Sequence, residues 1–338
     1  MKAIILQQPG KLEAITKPMP QKPGTKEVLM KIKNISICGT DLHAYKGHQP
    51  FFSYPRILGH EIAAEVVAIG EGITHLKPGD LCSIEPYRNA VVDQAVRRGK
   101  TTCGSKLTVL GVHEDGALQE YFIYHGENVH KANGLTPDQA SIVEPFAIGS
   151  RAVERAEITA DDLVLVVGTG PIGITVIAMA SLKGAKVIAL DVNAHRLNYV
   201  KENFAATETL LLNDNILNEL QNLLNGDMPT VVIDASGNKN SMEKSFEYVA
   251  AGGTIVFVGL FQGDVVFNDP NFHRKELTVK ASRAATSADF KKVIAGFKNG
   301  TINTKGYITH RIAFDDLIND FEKLYLPEKN LIKAIIDF

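Results

Sequence analysis

Hydrophobic positions fall into two textures along the chain. Up to about residue 150 they form short runs closed by turn residues. Val28–Ile32 follows Pro23-Gly24, Ile62–Ile69 precedes Gly70 and Gly72, and Leu81–Ile84 follows Pro78-Gly79-Asp80. Short runs with little helical periodicity predict a β-rich domain. Beyond residue 150 the apolar runs become continuous: Leu163–Val167, Val187–Leu190, Val231–Ile233 and Ile255–Val258. Helical stretches separate them, near 172–183, 194–204, 215–225 and 239–250. Continuous apolar strands alternating with helices predict a parallel sheet covered on both faces. From Ser287 the chain is predicted helical again. It then ends in a strand over Leu331–Ile336 that would rejoin the first domain. The predicted domains are therefore 1–150, completed by 287–338, and 151–286.

Composition narrows the class. A chain of 338 residues exceeds what one hydrophobic core usually holds, which supports two domains. The net charge of −2 gives no footing for nucleic acid or an anionic membrane as partner. Cys38, Cys82 and Cys103 are too few and too uneven for a disulfide framework. Only Ala3–Leu6 is apolar after Met1-Lys2, too short a run for an export signal. The expected location is a reducing, cytoplasmic compartment. Leu163–Leu182 is uncharged and has the length of a membrane span, about 20 residues. Gly168-Thr169-Gly170-Pro171 interrupts it, so a strand, a tight turn and a buried helix are expected instead.

That interruption begins the hexamer Gly168-Thr169-Gly170-Pro171-Ile172-Gly173, a G-x-G-x-x-G pattern. Glycines are common in turns, so the pattern alone says little. Here a buried strand precedes it and a helix follows, the context of a dinucleotide fingerprint. The first glycine permits the turn, the second admits a pyrophosphate, and the third lets helix and strand pack closely. Pro171 suits a first helical turn, whose amides would face the phosphates. The next strand ends at Asp191, near the spacing of about 20 residues expected for the acid that binds the ribose 2′-hydroxyl. A carboxylate there repels a 2′-phosphate, so NAD is expected over NADP. Arg196, Ser236 and the segment Val258-Gly259-Leu260 join the expected cofactor set. The last two sit at the ends of later strands, where ligands of open parallel sheets bind.

A second group of residues lies in the β-rich part: Cys38-Gly39-Thr40-Asp41-Leu42-His43 and Gly59-His60-Glu61, with Glu144-Pro145-Phe146 at its end. A thiolate, an imidazole and one or two carboxylates suit zinc. Taken singly, each has a plainer reading, a small buried cysteine or a surface His-Glu pair. Pattern alone leaves both open.

Together, Cys-Gly-Thr-Asp-x-His, Gly-His-Glu, the later Glu-Pro and the central fingerprint resemble the zinc-dependent medium-chain alcohol and polyol dehydrogenases, in order along essentially the whole chain. The resemblance implies a Rossmann domain joined to a GroES-like catalytic domain. Within that family the chain is most similar to a sugar-acid branch. The likeness rests on Gly47-His48-Gln49-Pro50-Phe51-Phe52-Ser53-Tyr54-Pro55-Arg56, Gly111-Val112-His113-Glu114-Asp115-Gly116, Gly259-Leu260-Phe261 and Asp269-Pro270-x-Phe272-His273. A regulatory sister group shares the Gly-Val-His-x-Asp-Gly stretch.

The resemblance implies roles. Cys38 and His60 would ligate one catalytic zinc, with Glu61 or Glu144 completing the set and the other carboxylate partnering a bound water. Thr40 would hydrogen-bond the substrate alcohol and His43 would pass its proton toward solvent. The substrate would be a small polyol or sugar acid, and the protein a homo-oligomer, dimer or tetramer. Arg88, Arg283, His273 and Arg274 are candidates for a sugar-acid carboxylate. Many relatives carry a second, structural zinc on four cysteines in a lobe after Glu-Pro-Tyr. Here Ala90, Asp93, Val96 and Gly104 stand at those positions, with Cys103 alone beside the last. The lobe is expected to be present without metal. Two other readings stay open: a zinc-free NADPH-dependent quinone or enoyl reductase of the same plan, and a non-enzymatic NAD-responsive regulator.

Overall fold

The computed structural model describes residues 1–326 and 329–338. The chain forms two units. The first holds residues 1–144, 285–299 and 306–338, and the second 145–284 and 300–305. The first division falls inside the helix Val143–Ala156, between Glu144 and Pro145.

The second unit is built on six parallel strands. Across the sheet they run Glu208–Leu211, Lys186–Asp191, Leu163–Val167, Val231–Asp234, Thr254–Phe257 and Thr278–Ala281. The central strands are continuously apolar because helices cover both faces. Val164, Leu165, Val166, Ile188, Ala189, Val232 and Ile233 are fully buried. The order reverses between Leu163–Val167 and Val231–Asp234. Such a switch point opens a crevice at the strand ends. The helix Pro171–Ser181 starts there, with Gly170 as its N-cap and Pro171 in its first turn.

In the first unit a seven-stranded sheet runs His310–Ala313, Ala334–Asp337, Glu27–Ser36, Glu61–Ile69, Leu81–Ile84 and Val129–Lys131, with Tyr121–His125 also paired to Glu27–Ser36. The terminal strand does rejoin this sheet, with Ile335 opposite Ser36. It is shorter than expected, Ala334–Asp337, because the chain enters the ladder only after Lys333. The strand His310–Ala313 pairs parallel to it and was not foreseen. Only Ile312 of its four side chains is buried, so it carries almost no hydrophobic signal.

The segment after Glu85-Pro86 folds as a small lobe. Strands Tyr87–Asn89 and Leu107–Val109 pair antiparallel and enclose the short helix Gln94–Arg97. Among the described residues no helix is long and apolar enough to cross a membrane.

Candidate metal centre and dinucleotide cleft

Cys38 caps the helix Gly39–Tyr45, and its backbone N–H donates to the Asp41 carboxylate at 2.9 Å. That cap fixes the first turn. Thr40 and His43, three residues apart, then share one helix face. Thr40 is half-buried and His43 exposed.

Glu61 opens the neighbouring strand Glu61–Ile69, and His60 immediately precedes it. Their approach depends on glycine. Gly59 has φ +94°, and a Cβ on Gly116 would lie 2.4 Å from the Leu58 carbonyl oxygen and 2.5 Å from that of Gly59. The Gly111–Gly116 loop therefore lies directly against Leu58-Gly59. Gly116 N donates to Ile57 O at 2.7 Å, and Ala117 N to Gly59 O at 3.0 Å. Asp115 takes the Ile57 amide at 3.1 Å. The Gly-Val-His-Glu-Asp-Gly stretch thus serves to brace His60.

The Cys38, His60 and Glu61 ligand atoms converge to within 4.8 Å of one another. His60, Glu61 and Glu144 are buried, while Cys38 is half-buried on the open side. His60 Nδ1 and Asp41 Oδ1 face each other at 3.7 Å, and neither has a hydrogen-bond partner among the described residues. Burial disfavours the charged imidazole, but Asp41 and Cys38 outweigh it and the His60 pKa is raised well above the usual range. The same negative field suits a dication, which would take the place of that proton. The donor set also fits zinc, one thiolate with nitrogen and oxygen. An Asp beside a ligating histidine orients the ring.

Lys333 is the residue that sequence reasoning missed. Its ammonium lies 2.8 Å from both Glu61 oxygens and 3.1 Å from Ile37 O, in a wholly buried position. Ser36 Oγ also donates to Glu61. Burial pushes the Lys333 pKa down, but Glu61 and Cys38 outweigh it and the pKa is raised. Glu144 sits in the same charged environment but outside the 4.8 Å group. Its partner is the Tyr87 hydroxyl, which donates to it. Burial, then the charge of Glu61, pushes the Glu144 carboxyl up to about 7. Tyr87 faces Glu144, and strand alternation turns Arg88 to the other face. Arg274, Arg283 and His273 belong to the second unit.

In the second unit Gly168 has φ +91°, and a Cβ on Gly173 would lie 1.8 Å from the Gly168 carbonyl oxygen. The third glycine is therefore a packing requirement. A cleft of about 880 Å³ is lined by Gly168, Gly170, Asp191, Arg196 and Ser236, among others. Pro171, Ile172, Gly173, Val258, Gly259 and Leu260 do not line it. Gly259 instead packs on Ser236-Gly237, since its Cβ would lie 2.2 Å from Gly237 N. Asp234, also not foreseen, anchors that turn: its carboxylate takes the Ser236 amide at 2.9 Å and hydroxyl at 2.8 Å.

Residues 24–134 match the alcohol dehydrogenase GroES-like domain and residues 171–299 the zinc-binding dehydrogenase family. The chain belongs to the zinc-binding medium-chain dehydrogenases and is an oxidoreductase of the alcohol and polyol type. It is 41% identical to L-galactonate-5-dehydrogenase of Escherichia coli K12, over 100% of this chain and 99% of that one. The starvation-sensing protein RspB of the same strain is 30% identical, over 100% and 99%. Among solved structures, an rspB protein of E. coli CFT073 complexed with NADH superposes with a TM-score of 0.93 at 29% identity, covering 100% and 99%. A Sinorhizobium meliloti protein bound to NADP superposes with a TM-score of 0.92 at 25% identity, over 100% and 99%.

Proposed function

We propose that this protein is an NAD-linked, zinc-dependent dehydrogenase that oxidises a secondary alcohol of a polyol or sugar acid, with L-galactonate the leading substrate. The convergence of Cys38, His60 and Glu61 carries the zinc assignment. The full-length likeness to L-galactonate-5-dehydrogenase supports the substrate. A zinc-free reductase would have no use for that convergence. When bound, zinc supplies a Lewis acid that acidifies a hydroxyl, and NAD supplies the hydride acceptor.

The chain's own residues handle position and protons. Cys38 and His60 would hold the metal with Glu61, whose carboxylate is steadied by Lys333 and Ser36. Glu144 stands beside them, able to exchange a proton near neutral pH. Thr40 takes the substrate hydroxyl's hydrogen bond. His43 relays the proton outward. Burial, then the charges of His48 and Lys46, lowers the His43 pKa and keeps its imidazole free to accept a proton at pH 7. The protein is further read as a homo-oligomer, dimer or tetramer.

A panel of L-galactonate, L-gulonate, D-altronate, simple polyols and L-threonine tests the substrate reading by NADH formation. L-galactonate is expected to have the highest kcat/KM. No rate with any sugar acid would sink the substrate assignment while leaving the family intact.

One zinc per chain is expected, with none in the lobe. Asp93 there does the joining that four thiolates would do around a metal. One of its oxygens accepts Val96 N at 3.0 Å, capping the short helix, and the other accepts Ser105 N at 2.6 Å. These amides hold the carboxyl pKa at about 2. Asn89 Nδ2 donates to Thr101 O at 2.9 Å across the same turn. Elemental analysis should give one zinc in the wild type and in Asp93→Ala, with the variant's lobe cut faster by protease. Two zinc ions, with one lost on altering the lobe, would overturn the idea.

A further inference from the structure

An acidic residue at the end of the second strand discriminates between dinucleotides only if its carboxylate stays where a 2′-phosphate would go. Relatives with this fold are solved with either dinucleotide, so the fold leaves the choice to local geometry. The cleft also contains a cation that could serve the opposite choice. Arg196 lines it beside Gly170, with Nη1 3.9 Å from where a Gly170 Cβ would stand. An arginine near this position can accommodate a 2′-phosphate. If Asp191 swung aside, Arg196 would be left to attract that phosphate.

Asp191 is not free to swing. Its Oδ2 accepts the Thr169 backbone N–H at 2.6 Å and the Thr169 hydroxyl at 2.7 Å. Its Oδ1 accepts the Asn193 N–H at 2.9 Å. Thr169 is fully buried and Asp191 nearly so. Thr169 is the first variable position of the glycine hexamer, where the logic of the fingerprint asks for no particular side chain. Hydrogen bonds to a charged acceptor are the stronger kind, and a buried hydroxyl has no water to replace its partner.

We propose that Thr169 is a positioning residue for dinucleotide choice, its hydroxyl clamping the Asp191 carboxylate against rotation so that NADPH is refused. The proposal rests on the NAD reading above. It adds that selectivity belongs to the Thr169–Asp191 pair and not to the acid alone.

The test is binding of NADH and of NADPH to the full chain, followed by nicotinamide fluorescence, so turnover is not needed. Thr169→Val keeps shape and removes the donor. It should lower the ratio of the NADPH Kd to the NADH Kd by about tenfold or more, the lower end of the scale for one hydrogen bond to a charged group. Thr169→Ser restores the hydroxyl and should restore the wild-type ratio, which a packing role would not do. Thr169→Ala serves as the second donor-less variant if valine impairs folding. A wild type selective for NADH with an unchanged ratio in both donor-less variants defeats the clamp alone. A wild type that binds NADPH as tightly as NADH defeats the NAD reading, and the clamp with it.

Discussion

Cys38→Ser is expected to lower turnover by at least about 10³-fold while leaving NADH binding nearly unchanged. Metal-ion catalysis supplies several kcal/mol of the barrier, and about 1.4 kcal/mol is a factor of ten. Cys38 is the only thiol in the converging group, and the serine hydroxyl is a poor zinc ligand at neutral pH. Zinc content should fall in parallel. NADH binding should persist because Gly168, Asp191 and the rest of the cleft belong to the other unit and share no residue with the metal group. Zinc analysis, steady-state rates and NADH fluorescence on one preparation check all three. Full activity in Cys38→Ser, or in wild type stripped of metal, would rule out the zinc assignment.

Lys333→Met should cost about 3–5 kcal/mol of stability, the scale for removing one partner of a buried ion pair. The cause is the carboxylate left behind. Glu61 is fully buried, and without Lys333 its charge keeps only the Ser36 hydroxyl among the partners described above. The double variant Glu61→Gln/Lys333→Met removes both charges and should recover most of the loss, since paired replacement is often neutral. Urea denaturation of metal-stripped protein reads this without interference from zinc. Equal stability of the single and double variants would mean that the charge on Glu61 is not what Lys333 compensates.

How much could be read beforehand follows from how local each feature is. The parallel sheet was legible because burial on both faces makes Leu163–Val167 and its neighbours continuously apolar. Asp191 was legible because the βα unit sets its distance from the glycines. The convergence of Cys38, His60 and Glu61 was legible only through resemblance, since a helix cap and a strand start far apart in sequence meet there. Lys333 was missed for the same reason in stronger form. One signal did exist: a lone cation inside the apolar run Leu331–Ile336 needs a buried partner. Tyr87 was read only as a landmark of the lobe, and Asp93 only as a missing cysteine. Their roles lie in the side-chain contacts to Glu144 and Ser105, which leave no periodic trace.

The Lys333–Glu61 pair spans 272 residues of sequence. During synthesis the carboxylate emerges long before the ammonium that neutralises it. The sheet beneath it lacks the strand Ala334–Asp337 for the same interval. The intervening second unit is nearly contiguous in sequence and can close as soon as it leaves the ribosome, as domains generally do. The first unit must wait, with Glu61 hydrated and the Cys38 side of the sheet open. A chain interrupted before residue 333 would own a finished cofactor cleft and no finished metal centre.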